Sequence, residues 1–266
     1  MLQQAIDFRD ECDALYALLA PLDDADFERE TQFKRWTIND IMVHLHYWNY
    51  GADLSLSNED EFVALMAALM ETLNSGGDTR AFTEDRIGGL TGRALVEAWR
   101  DYYLAMADRF SAADPKQRVK WAGPDMSVRS SITARLMETW SHAQAIYDIL
   151  GVDRQEADRV KNIAVLGVNT FGWTYAVRKM PVPEVQPYLR LTAPSGDIWE
   201  WNEPSDEECV EGSAVEFCQV VTQTRNFADT TLSVTGPIAN EWMGMAQCFA
   251  GGAEPPPVPG TRFKVT

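Results

Sequence analysis

Apolar residues recur at steps of three and four along residues 1 to 180, and this spacing predicts long amphipathic helices. Ala5, Phe8, Cys12, Leu15 and Leu19 form one stripe, and Pro21 ends it. A second helix opens at WTINDIMVHLHYWNY, with Thr37 as N-cap and Asp40 three residues later in an approximate capping box. Residues 59 to 74, EDEFVALMAALMETLN, predict a third helix, stopped by Ser75, Gly76 and Gly77. A fourth runs from about 91 to 113 on a stripe of Leu95, Trp99, Tyr102, Met106 and Phe110. The segment PKQRVKWAGPDMS reads as a loop. A fifth helix follows from Val128 to Gly151, a natural C′ residue, and a sixth covers about 156 to 179.

After Met180 the texture changes. PVPEVQP is a proline-punctuated linker, and YLRLTAPSGDIWEWNEP predicts two short strands around a turn at Pro194, Ser195 and Gly196. A helix from Ser213 to about Thr224, a strand TTLSVTG and a helix PIANEWMGMAQCFAG come next, and the tail GGAEPPPVPG carries no regular element. The expected architecture is mainly α: a helical bundle over 1–180, then a small α+β domain over 185–266.

Composition narrows the function. The chain has 266 residues, 45% of them hydrophobic and 24% charged, which suits a globular protein with a substantial core. Its formal net charge of −17 repels phosphate backbones and anionic lipid, so neither nucleic acid nor a membrane surface is an expected partner. No window reaches the ~20 apolar residues of a membrane span, and the N-terminus lacks a basic segment before its apolar positions. The expected location is the cytoplasm and the expected partner a small-molecule substrate, with a homodimer left open. Cys12, Cys209, Cys218 and Cys248 form no CxxC pair, which argues against a thiolate zinc site or a disulfide framework.

The chain has three histidines, and all fall in two of the predicted helices. In RLMETWSHAQAIYDILG, Glu138 and His142 stand four apart and share one helix face. Such a pair also occurs on solvated faces, where it contributes a few tenths of a kcal/mol. On the second helix His44 lies two turns past Thr37, and His46 points about 200° away from it. One carboxylate and two imidazoles from two helices would leave coordination positions open, as a catalytic metal requires. Spacing alone does not choose between His44 and His46. Asp40 reads as a cap, and Trp36, Trp48, Trp140 and Trp173 read as bundle core.

WTINDIMVHL followed by RLMETWSHAQAIYDILG resembles the DinB-like helical bundle proteins, and within them the mycothiol-dependent maleylpyruvate isomerase family. The resemblance implies His44, Glu138 and His142 as ligands of a divalent metal, zinc being the first choice over nickel, iron or manganese. It also implies a low-molecular-weight thiol such as mycothiol. The metal-held thiolate adds to an activated double bond of a small organic acid, and elimination after rotation returns the trans isomer. The C-terminal part is similar to the sterol-carrier-like domain attached to those isomerases. There GSAVEFCQVVTQTRN carries Arg225, implied to hold a carboxylate in catalysis. Related sequences often place an acid three residues after the second histidine; here Ala145 stands there, and Asp148 follows nearly a turn later, which puts the hydrogen-bond support of His142 in question. Two other functions fit the same ligands: a metal-dependent hydrolase with bound water as nucleophile, and a non-catalytic metal-binding module. Three ligands argue against the module, since closed structural sites usually have four.

Overall fold

A computed structural model describes residues Met1–Thr266. The chain divides into two compact units, Met1–Ile149 and Leu150–Thr266.

The N-terminal unit is helical. Its elements are α1 (Gln3–Leu19), α2 (Asp24–Phe27), α3 (Ile38–Ser57), α4 (Glu59–Asn74), α5 (Thr79–Arg86), α6 (Gly92–Ala112) and α7 (Val128–Leu150). Between the last two lies a two-residue antiparallel ladder of β1 (Arg118–Val119) and β2 (Met126–Ser127), inside the segment expected to be a loop. Helices α1 and α3 both pack on α6. The stripe of α1 closes completely: Phe8, Cys12, Leu15 and Leu19 are fully buried, as are Trp99, Met106 and Phe110 of α6. Each large apolar side chain removed from water in this way stabilises the fold by about 1.5–3 kcal/mol. On α6 the buried face passes through Tyr103 rather than Tyr102. Tyr102 is half-buried and donates its hydroxyl to Asp53 Oδ2 at 2.8 Å.

The start of α3 follows from its capping residues. Thr37 Oγ1 accepts from the Asp40 backbone N–H, and the Asp40 carboxylate accepts from the Thr37 N–H, so both halves of the capping box form. Asp40 is therefore a cap, as expected, and Arg80 also pairs with it at 2.6 Å.

The C-terminal unit holds α8 (Lys161–Asn169), α9 (Phe171–Ala176), β3 (Tyr188–Thr192), β4 (Ile198–Trp201), β5 (Cys209–Ser213), α10 (Ala214–Val221), β6 (Ser233–Thr235) and α11 (Pro237–Met243). The four strands form one sheet in the order β4-β3-β5-β6. β3 pairs antiparallel with β4, Leu189 opposite Trp201, and parallel with β5, Leu189 opposite Val210; β5 and β6 are antiparallel. Leu189 and Leu191 face inward while Arg190 and Thr192 face water, the alternation of a sheet covered on one side.

Two features depart from the sequence reading. The segment 156 to 179 is a 3-10 turn at Asp158–Val160 followed by two short helices, broken at Thr170, instead of one long helix. Those helices also belong to the C-terminal unit, so the compact boundary precedes the composition change at Met180. The reason is packing. Gly167 lets α8 lie so close to α10 that a Cβ there would come within 2.9 Å of Val221 and 3.1 Å of Phe217.

Candidate metal centre

Helices α3 and α7 bring three donors together. His44 Nε2 lies 3.1 Å from Glu138 Oε2, and His142 Nε2 lies 3.3 Å from the same oxygen. The two imidazole centroids are 4.5 Å apart, with the rings tilted by 59°. All three ligand atoms lie within 4.8 Å of one another. The side chains are about four-fifths buried or more, with His44 at 20%, Glu138 at 23% and His142 at 11% exposure.

The electrostatics suit cation binding. Burial is the main force lowering His44, to about 4, and the neighbouring His142 adds to it against the pull of Glu138. Burial pushes the Glu138 carboxyl up, but hydrogen bonds and charge from His142 and His44 outweigh it and hold the group well below the usual carboxylate range. At neutral pH His44 is therefore an unprotonated imidazole and Glu138 a carboxylate, the forms that bind metals.

A short turn covers the pair. Trp36 lies parallel to the His142 ring at 5.9 Å and 5.5 Å from that of His44, and Phe33 meets His142 edge-on at 4.9 Å. Thr31 fixes this turn: its hydroxyl donates to the Trp36 carbonyl at 2.8 Å, its N–H donates to the same oxygen at 2.7 Å, and its Oγ1 accepts from the Phe33 N–H. Between the two aromatics Lys34 and Arg35 both take left-handed backbone conformations, φ 50° and 57°. That is a strained arrangement for two residues that are not glycine. Trp36, expected in the core, is instead half-buried and forms one wall of the site.

One helical turn before Glu138, Arg135 is 2% exposed. Its Nε donates to Asn49 Oδ1 at 3.0 Å and its Nη2 to the Leu45 carbonyl at 3.4 Å. A buried cation beside the carboxylate favours its ionised form. Sequence reasoning passed over Arg135, although Arg135, Glu138 and His142 stand at i, i+3 and i+7, one helix face. Phe33 gave no such signal, because its place depends on the conformation of the turn.

The remaining candidates lie elsewhere. His46 packs edge-on against Tyr102 at 5.6 Å, on another side of α3 from the cluster. Asp148 is buried and accepts from Gln144 Nε2 at 3.0 Å. Arg225, in the C-terminal unit just past α10, is half-buried and donates from Nη1 to the Thr224 carbonyl. All four cysteines are buried, and burial pushes the Cys12 and Cys218 thiols up, which makes them poor nucleophiles.

Similar proteins agree with this architecture. The uncharacterized proteins MT0041 and Rv0036c, from two strains of Mycobacterium tuberculosis, are each 33% identical over 249 residues, covering 92% of this chain and 94% of theirs. The crystal structure of the mycothiol-dependent maleylpyruvate isomerase is similar in fold, with a TM-score of 0.50 at 17% identity, over 82% of this chain and 87% of that one. Residues 8–147 match the family model described as the mycothiol maleylpyruvate isomerase N-terminal domain. That match spans the bundle from α1 to α7, both histidine-bearing helices included, and the chain belongs to this family.

Proposed function

We propose that the chain is a metal- and thiol-dependent isomerase or thiol transferase acting on a small organic acid. The observation that carries this reading is the convergence of His44 Nε2, His142 Nε2 and Glu138 Oε2 within 4.8 Å on two helices of a bundle. Two imidazoles and one carboxylate fit a divalent ion, zinc first, and three protein ligands leave room for a further one. When bound, such an ion and a thiol of the mycothiol type together supply a thiolate at neutral pH, whose reversible addition to an activated double bond permits rotation about it. The similar crystal structure, described as mycothiol-dependent, supports the choice of thiol.

The chain's own residues set the conditions for this chemistry. His44, kept unprotonated by burial, presents a lone pair in place of a positive charge. Glu138 offsets part of the ion's charge, and hydrogen bonds from His142 and His44 hold it ionised. Trp36 and Phe33 restrict water on their side of the histidines, which strengthens every electrostatic interaction there. Arg225 is assigned, on the family resemblance, to hold a carboxylate of substrate or thiol in a bidentate contact. No helix is long and apolar enough to cross a membrane. We place the reaction in the cytoplasm.

The test is elemental analysis of the purified protein beside His142→Ala, followed by assay of the metal-loaded protein on a cis-unsaturated keto acid with and without a low-molecular-weight thiol. Stoichiometric metal lost in the variant, together with thiol-dependent turnover, is the expected result. Turnover without thiol would replace this reading with hydrolysis on the same ligands.

A further inference from the structure

Helix α4 is apolar on more sides than its packing uses. Every residue from Phe62 to Met70 is apolar, yet only Phe62 and Leu69 are buried. Leu69 packs with Tyr47 of α3 and Phe82 of α5, and Phe62 stacks on Trp121 of the β1-β2 connection. Another side carries Val63, Met70 and Leu73 at 50%, 54% and 40% exposure, with Met66 partly buried between them. Single apolar residues on a surface are ordinary, but a continuous row of large ones marks a surface that something covers. A helix apolar nearly all round belongs in an interior.

The row fits a second α4. Its steps of three, four and three residues make one seam of a coiled coil, with Val63 and Met70 at a and Met66 and Leu73 at d. The same spacing reads alike in both directions about residue 68. An antiparallel pair on a two-fold axis therefore sets Val63 opposite Leu73 and Met66 opposite Met70 of the second copy, each contact made twice. Charge favours the same pairing. The chain carries a formal charge of −17, so self-association must keep acids apart. In this register Glu59, Asp60 and Glu61 face Gly77, Gly76 and Ser75 of the second copy, and Glu71 faces Leu65. A parallel pair would set the three acids of the first turn against their own counterparts. The 16 residues of α4 make a strip about 24 Å long and roughly 10 Å wide. Two interdigitated strips bury on the order of 1,000 Å² in total, the lower limit of a specific interface. The dimer is accordingly weak, with an affinity in the micromolar range.

We propose that the chain forms a two-fold dimer through antiparallel α4 helices, each apolar row covering the other. The assembly uses none of the residues of the metal centre, so its test is separate from that of the proposed reaction.

The experiment is sedimentation velocity on the full chain between about 1 µM and 1 mM, a range that brackets such an affinity. The sedimenting species should pass from one chain to two as concentration rises. Met70→Glu sets a carboxylate into the seam of both copies and should weaken association about a hundredfold. Val63→Lys alone and Leu73→Glu alone should weaken it too. Mixing those two variants should restore a mixed dimer, because the new lysine of one copy then meets the new glutamate of the other. Val63, Met70 and Leu73 are all exposed, so the variants keep the fold. A single chain across the whole range overturns the proposal, as does an assembly larger than two or a dimer indifferent to Met70→Glu. Failure of the mixture to associate overturns the antiparallel pairing.

Discussion

His44 and His46 stand two residues apart on one helix, are both largely buried, and are both driven toward the neutral form by that burial. Their surroundings differ in kind. His44 meets a carboxylate and a second imidazole from α7, whereas His46 meets the edge of Tyr102 and leaves one nitrogen unpaired. Burial alone therefore does not assemble a candidate metal centre. What separates the two is the neighbouring helix each is turned toward, which a 200° rotation over two positions decides.

The largest test of that difference is direct. Glu138→Gln or His142→Ala should reduce affinity for a divalent cation beyond the ~10–100-fold typical of changes around a metal site, while His46→Ala leaves it unaltered. Competition with a chromogenic chelator reads this out. Equal losses in all three variants would erase the distinction drawn between the two histidines.

Removing the buried cation should come next. Arg135→Met keeps the volume but loses hydrogen bonds to Asn49 and Leu45, and urea unfolding should register about 2 kcal/mol lost. Metal affinity should fall as well, since Glu138 loses the charge of a buried cation coupled to it.

Acid titration sharpens the comparison further. The folded value of His44, about 4, lies below its ordinary 6.5, so between those limits the unfolded chain takes up a proton that the folded chain refuses. Stability of the metal-free protein therefore falls as pH drops through that window. His46 shifts in the same direction. His44→Asn and His46→Asn should each flatten the slope seen in thermal melts, but adding metal should steepen it only where His44 is intact.

The smallest effect is expected at the helix start. Thr37→Ala removes one half of the capping box and should cost about 1 kcal/mol in urea, whether or not metal is present.

Much of this was legible in the residues themselves. The stripe of α1 and the Thr37–Asp40 cap carry strong local signals, and the structure reproduces both. The convergence of α3 with α7 was not available from periodicity, which fixes faces but not which helices meet; only the family resemblance preferred His44. Other elements were opaque for physical reasons. Helix α5, TRAFTEDR, is too polar to show a stripe and is held by an Asp78 cap and the burial of Phe82. Strand β5, CVEGS, is short, lacks clean alternation and contains Gly212, whose φ of 139° lies outside the usual range for other residues. The wall position of Trp36 depends on two successive left-handed residues, which FKRW does not announce because it contains no glycine.

That same pair, Lys34 and Arg35, sets robustness against shielding. Glycine at position 35 would relieve the awkward backbone, yet it would also slacken the hinge that keeps an indole over the imidazoles. A sturdier tip and a tighter roof are thus opposing demands on one hairpin bend, and the wild-type residues favour the roof.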